Sequence, residues 1–369
     1  MLLSLIQKHK KISRSQLAKI TKISNTSVGK IVKELMEDEL VIEVGQIEGE
    51  VGRRAILLEI NSKGSYIIGV NLEISIIQIA IVSLNGEIVM KEQLEYDVLE
   101  KAEVVLNFIA SAINNILKLA GSEYEKKVIA IGVSVPGLVS WPEGKTLMVP
   151  QLHWKNINVK SLLEEKLDYV VYVDNDVRTV LLAESLFGSM TDFTNATCIH
   201  VGSGLGSAVM INGEILRGHS NTLGEIGHIT LVPDGALCNC GRMGCLQTYI
   251  CSSELEKQSG RHIQDIFNAF EHKEEWAVKL INRARSYLGM VISNVVCMYN
   301  PEAVLLSGQM IQDYPVLIKD IEAISNTYVL APLRNSFQLK ESIIGTDSGV
   351  IGASALVLNE FLRYSNDDI

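Results

Sequence analysis

The chain has 369 residues, 47% of them apolar and 21% charged, and a formal net charge of -10. That length suits two or three domains with buried cores, and the composition excludes a disordered chain or a coiled coil. No uninterrupted apolar run approaches the roughly 18 residues a membrane span needs. The Ile-rich stretch over 66–84 is broken by Asn71, Glu73 and Gln78. Met1-Leu2-Leu3-Ser4 carries neither a basic leader nor a small-residue cleavage site, so a cytoplasmic protein with no membrane partner is expected. In that compartment the six Cys are thiols or metal ligands rather than disulfides.

The charge is uneven. Residues 1–33 hold eight Lys or Arg and no Asp or Glu. A basic end on an acidic chain suggests a polyanion-binding module, although a solvated helical surface gives the same count.

Leu2, Leu3, Leu5 and Ile6 predict a short first helix. Ser13-Arg14-Ser15-Gln16 is a capping box, in which Ser accepts a free backbone N–H and Gln reaches back. It opens a second helix carrying Leu17, Ala18 and Ile20. Thr21-Lys22-Ile23 reads as a turn, and Ser24 caps a third helix with Val28, Ile31, Val32 and Leu35 at helical spacing. Its other face carries Asn25, Thr26, Ser27 and Lys30. In a helix-turn-helix that end enters the major groove. Two β-like runs at 41–44 and 55–60 flank a Gly-containing loop ending in Arg53 and Arg54, which could reach phosphates or a minor groove. This is the layout of a winged helix-turn-helix over residues 1–62. The alternative is a three-helix bundle that binds no nucleic acid.

From Tyr66 onward β-rich runs alternate with helical ones. Strands at 67–70 and 76–84 lead to Asn85-Gly86; strands at 198–201 and 207–211 lead to Asn212-Gly213. Asn-Gly between apolar runs is a hairpin signal. Two such units predict a duplicated α/β fold with a cleft between its halves. The loop after the second unit's first strand, Gly202-Ser203-Gly204-Leu205-Gly206, suits phosphate oxygens, or is only a tight turn. The matching loop over 71–75 has no Gly and carries Glu73, which argues against ATP turnover.

His228, Cys238, Cys240 and Cys245 supply three thiolates and an imidazole, the closed donor set of structural zinc. Gly241 and Gly244 would let the chain wrap the ion. Buried thiols are the plain alternative. Cys198, Cys251 and Cys297 are dispersed and read as core residues.

Gly224-Glu225-Ile226-Gly227-His228 followed by the Cys cluster resembles the signature of the ROK family (repressors, open reading frames, kinases). The resemblance extends along essentially the whole chain, through residues 173–176, the Gly-rich loop and Gly308. It implies a two-lobed, actin-like (ribonuclease H-like) ATPase fold with a sugar in its cleft and zinc on His228, Cys238, Cys240 and Cys245. The lobes are expected at 63–173 and 174–369, the last helix packing back on the first lobe. Asn175, Asp176 and Glu225 are similar to the family's sugar ligands, Asp176 standing where kinases keep a base. His228 would face zinc with one ring nitrogen and the sugar with the other. Gln151 and Gln247 stand where the family has a sugar-side Asn and Glu. Kinases of the family open their first phosphate loop with Asp and Gly-Gly-Thr, and here Asn71, Glu73, Ile74 and Ser75 stand in those places.

The resemblance therefore implies a sugar-responsive transcription factor without enzymatic activity: a repressor of genes for using xylose or a related sugar, acting as a homodimer on a palindromic double-stranded operator. Ser24, Asn25, Thr26, Ser27, Lys30, Arg53 and Arg54 would meet the DNA. The competing readings are an ATP-dependent sugar kinase, kept open by Asp176, and a DNA-binding protein with no ligand.

Overall fold

The computed structural model describes residues 1–47 and 55–367. Helices α1 (Leu2–His9), α2 (Arg14–Thr21) and α3 (Asn25–Glu37) come first, with strand β1 (Ile12–Ser13) after α1. Strands β2 (Val41–Ile47) and β3 (Ala55–Ile60) follow, in an antiparallel sheet ordered β1-β3-β2. The capping box forms: Gln16 N donates to Ser13 Oγ at 3.3 Å, and Ser13 N to Gln16 Oε1 at 2.9 Å. Lys22 ends α2 in the left-handed region (φ 60), and Ser27 N donates to Ser24 Oγ at 3.1 Å to start α3. The two caps fix the angle of the turn. Leu17, Val28 and Val32 then meet at its inner side, all fully buried.

That core does not end at residue 62. Leu2, Leu3, Ile6 and Leu17 share it with Ile67, Leu84 and Ala130 of the next sheet and with Val357, Leu358 and Leu362 near the C-terminus. The chain divides into two compact units, residues 1–187 with 346–369, and residues 188–345. In this division the winged helix, the first-lobe sheet, residues 174–187 and the last helix form one packing unit. The reason is apolar burial, which joins elements regardless of their distance along the chain.

The first lobe is built on β4 (Tyr66–Leu72), β5 (Ile76–Ser83) and β6 (Ile88–Glu95), antiparallel, then helices α4 (Ala102–Ala120) and α5 (Ser122–Glu125) and the parallel strand β7 (Val128–Val135). A small antiparallel sheet, β8 (Leu138–Ser140), β9 (Lys145–Val149) and β10 (Trp154–Ile157), precedes α6 (Val159–Glu164). Strand β11 (Val171–Asn175) completes the main sheet, and α7 (Asp176–Phe187) leaves it. By length and composition α4 could cross a membrane. Its Val105, Leu106, Ile109, Ile113 and Ile116 are instead buried with Ile68, Val70 and Leu72, while Asn107, Asn114 and Lys118 are exposed. A polar face at helical spacing marks it as a core helix.

In the second unit β12 (Ala196–Val201), β13 (Leu205–Ile211) and β14 (Glu214–Leu216) are antiparallel. Helices α8 (Ser252–Ser259), α9 (Ile263–Glu271) and α10 (Glu275–Tyr299) intervene before β15 (Ala303–Ser307), which is parallel to β12. Helices α11 (Gln309–Asp313) and α12 (Ile321–Tyr328) lead to β16 (Gln338–Glu341), and α13 (Ser348–Asp367) returns to the first unit. The two main sheets run β6-β5-β4-β7-β11 and β14-β13-β12-β15-β16. Their identical order confirms the duplication. The two Asn-Gly turns differ, however. Asn212 and Gly213 both have positive φ and join β13 to β14 directly, the tight hairpin expected. Residues 84–87 form a longer turn in which only Gly86 has positive φ, because the β5–β6 register shifts after Ile81.

Candidate functional site

The second unit places His228, Cys238, Cys240 and Cys245 so that their ligand atoms all lie within 4.8 Å of one another. Cys238 Sγ is 3.7 Å from His228 Nδ1, and Cys240 Sγ is 3.6 Å from Cys245 Sγ. A tetrahedral ion with zinc–sulfur bonds of about 2.3 Å and zinc–nitrogen bonds of about 2.0 Å needs its ligands some 3.5–3.8 Å apart. The donor set therefore fits a divalent ion such as zinc. The ribbon is shaped by backbone bonds, Cys238 N to Arg242 O at 2.9 Å and Gly241 N to Cys238 O at 3.0 Å. Gly244, at φ 68, lies where a Cβ would stand 1.5 Å from Val232 O.

Glu225 and His228 are held by two glycines. A Cβ on Gly224 would meet Ser207 O at 2.1 Å, and one on Gly227 would meet Leu205 O at 2.3 Å, so only glycine lets this turn lie on β13. With Nδ1 toward Cys238, His228 turns Nε2 toward Glu225 Oε2, 3.9 Å away. Glu225 is exposed and about half of its side chain faces solvent. Gln247, which stands where the family has a sugar-side Glu, is buried. It is 8% exposed, and its Nε2 donates to Cys238 Sγ at 3.4 Å and to Asn239 Oδ1 at 3.0 Å. The Gly-rich loop joins β12 to β13, and a Cβ on Gly204 would touch nothing within 4 Å.

In the first unit Asn175 ends β11 and Asp176 begins α7. Asn175 Oδ1 accepts from Val177 N and Arg178 N at 3.0 and 3.2 Å, so it caps the helix, while its Nδ2 donates to Gly137 O and Asp176 Oδ1. Beneath them the Arg178 guanidinium donates to Asp174 Oδ1 at 3.1 Å, both side chains buried. The sequence reading missed this ion pair, although Asp and Arg at i, i+4 was its available signal. Gln151 sits exposed in a single turn over Pro150–Leu152.

Burial pushes the Asp176 carboxyl up to about 6; Glu73 adds repulsion, while hydrogen bonds from Val177 and Asn175 pull the other way. A raised folded-state value means stability that is present below about pH 4 and lost as the pH rises through 6. Asp176→Asn is therefore expected to stabilise the fold at pH 8 by about 1–2 kcal/mol, discounted for partial solvent access. At pH 4 little gain is expected. Urea midpoints at the two pH values check this, and equal midpoints at pH 8 refute it.

The loop at the end of β4 is closed by side chains. Asn71 Nδ2 donates to Glu73 Oε1 at 2.6 Å and to Gln78 Oε1 at 3.4 Å, and Gln78 Nε2 donates to Gln93 Oε1 at 3.2 Å. Tyr96 donates its hydroxyl to Glu73 O at 2.7 Å. No spacing in the sequence announces this network, because its members come from three strands.

On the winged helix, Ser24, Asn25, Thr26, Ser27 and Lys30 are all exposed at the start of α3. Three of the neighbouring cations are paired, Lys11 with Glu59, Arg14 with Glu43 and Lys33 with Glu37. Arg53 and Arg54 lie outside the described residues.

Comparison with known proteins agrees with this anatomy. Residues 67–360 match the ROK family, and residues 1–42 match a winged helix-turn-helix DNA-binding family. The chain is 29% identical to the xylose repressor of Bacillus subtilis, over 98% of this chain and 95% of that protein. It is 30% identical to the DNA-binding transcriptional dual regulator NagC of Escherichia coli, over 97% and 91% respectively. A crystal structure of a ROK family transcriptional regulator, a homologue of the E. coli MLC protein, superposes with a TM-score of 0.83 at 29% identity, covering 97% of this chain and 94% of the other. With the duplicated sheet, the Glu225–His228 turn and the capped N-terminal helices in place, the chain belongs to the ROK family, among its transcriptional regulators.

Proposed function

We propose that this protein is a sugar-responsive repressor of genes for using xylose or a related sugar, working in the cytoplasm as a homodimer on a palindromic operator. One observation carries the reading: a capped, polar-faced α3 shares a hydrophobic core with the lobe that holds Asn175 and Asp176. Asn25, Thr26, Ser27 and Lys30 meet bases and phosphates, with Arg53 and Arg54 anchoring the wing. In this reading the carboxylates of Asp176 and Glu225 and the amide carbonyls of Gln151, Asn175 and Gln247 accept hydrogen bonds from sugar hydroxyls, and His228 donates one. Amides and carboxylates suit neighbouring hydroxyls. Zinc is held by His228, Cys238, Cys240 and Cys245, and when bound it fixes the ribbon and the imidazole.

The signal has a short physical route. Asp176 begins α7, and a Cβ on Gly352 of α13 would stand 2.8 Å from the backbone of Thr179, so the two helices touch closely. The far half of α13 shares its core with Leu2, Leu3 and Ile6. A sugar that pulls on Asp176 therefore acts on helices that support the DNA-binding module. For DNA release the sugar must bind the DNA-incompetent form more tightly, and a tenfold release needs about 1.4 kcal/mol of preference. Phosphoryl transfer is not part of this reading, which the side-chain hydrogen bonds of Asn71 to Glu73 and Gln78 support, since a phosphate loop offers backbone N–H groups rather than a carboxylate.

Gel-shift titrations on an operator fragment, with pentoses, hexoses and N-acetylated sugars, test the function. One sugar is expected to weaken DNA binding by at least tenfold. DNA affinity indifferent to the whole panel sinks the reading, and so does ATP turnover at about 1 s⁻¹ or faster with any of these sugars.

A further inference from the structure

We propose that Gln247 is a positioning residue for the metal, donating a hydrogen bond from its side-chain amide to the metal-bound thiolate of Cys238. The inference rests on the reading of the four-donor cluster as a metal site and goes beyond its ligand set. Gln247 Nε2 lies 3.4 Å from Cys238 Sγ and 3.0 Å from Asn239 Oδ1. Asn239 Oδ1 is itself 3.3 Å from that sulfur. A metal-bound thiolate has no proton and only accepts. The Asn239 oxygen beside it is then repulsive unless a donor lies between the two acceptors, and Gln247 Nε2 is that donor. With Asn239 Oδ1 beside the sulfur, turning the Gln247 amide over would set its oxygen against both the thiolate and Asn239, so the placed orientation is the one in which Gln247 pairs with both.

Packing holds the amide in place. Gln247 is buried in the short turn Leu246–Tyr249, directly after the ligand Cys245. A Cβ on Gly227 would stand 3.1 Å from Gln247 Oε1, so the carbonyl end of the amide lies against the turn that carries Glu225 and His228. The two ends of one side chain thus address two segments that supply metal ligands, Cys238 through nitrogen and the His228 turn through oxygen. A carboxylate at this position has no proton to donate when ionised and adds charge beside three thiolates. Partners that orient a ligand commonly change metal affinity by about 10–100-fold.

The test uses the full-length protein loaded with Zn(II), and with Co(II) as a spectroscopic probe. Zinc affinity is measured by chelator competition for wild type, Gln247→Leu and Gln247→Glu, and the sulfur-to-cobalt charge-transfer band is recorded for each. Both variants are expected to lose zinc affinity by about tenfold or more, and Gln247→Glu to lose more than Gln247→Leu. Both are also expected to shift the charge-transfer band, because loss of an N–H donor raises electron density on the thiolate. General loosening of the fold does not move that band in a chain that still holds one cobalt. Unchanged affinity and an unchanged band in both variants overturn the inference while leaving the metal site standing. A wild-type chain that binds no stoichiometric metal overturns both.

Discussion

Gly132→Val is expected to abolish the folded protein. Gly132 lies in β7, and a Cβ there would stand 1.8 Å from Ala353 O and 2.6 Å from Ala353 C, both backbone atoms of α13. Gly69 in β4 is similarly placed, 2.2 Å from Val350 O. These two glycines let the helix lie directly on the sheet. A flexible side chain could move aside, but a helix backbone cannot without shifting all of α13. That helix also buries Val357, Leu358 and Leu362 against the winged helix. The displacement therefore spreads to two cores, and a loss above about 4 kcal/mol is expected, in the exceptional range for one substitution. Expression, thermal melting and DNA binding should fail together. Gly29→Ala is the control: it lies inside α3, where an added Cβ would have nothing within 4 Å, and should stabilise by about 0.5–1 kcal/mol. A Gly132→Val protein that melts within a few degrees of wild type would show that α13 tolerates displacement.

Removing the metal proposed for the His228, Cys238, Cys240 and Cys245 cluster should have the second large effect. The ribbon over 229–245 has little regular structure, with two isolated bridges, Thr230 to Cys245 and Leu237 to Met243. Leu237 and Met243 are exposed, so apolar burial contributes little to that part of the ribbon. Structural zinc in peptide fingers contributes roughly 10–16 kcal/mol, and for a ribbon inside a larger unit we expect a loss on the order of 5 kcal/mol. Chelation or Cys245→Ala should therefore lower the melting temperature sharply. It should also free the His228 ring from its fixed orientation and so weaken sugar binding, while the winged helix keeps its fold. Melting followed by a probe in each unit checks this. A chelator-treated protein with the same transition as the untreated one contradicts the structural role of the ion.

The second-unit hairpin at Asn212-Gly213 and the N-terminal caps of α2 and α3 were legible because each is decided within four residues. So was the metal cluster, since three of its four ligands fall within eight residues. The Glu225–His228 turn was legible only through resemblance: its residues have no intrinsic bias toward a binding role, and what positions them is contact with Ser207 and Leu205 of β13. The place of Gln247 in the motif marks it as a sugar ligand, yet its amide nitrogen points at Cys238. Side-chain direction depends on which neighbours close around it, and motif spacing does not carry that information.

By itself the sequence determined the winged helix, the duplicated α/β plan and the one His and three Cys that cluster in the second unit. In each case the deciding interactions are local: a cap, a turn, a periodicity or a short ligand spacing. The tertiary structure alone decided that the DNA-binding module and the first lobe are one packing unit, that α7 stays with that lobe, and that Asn71 and Glu73 close the first loop with side chains. These depend on α13, which comes from the far end of the chain, and on side chains that meet only once β4, β5 and β6 pair in register. Such contacts follow from packing shape and buried area, which no local pattern specifies.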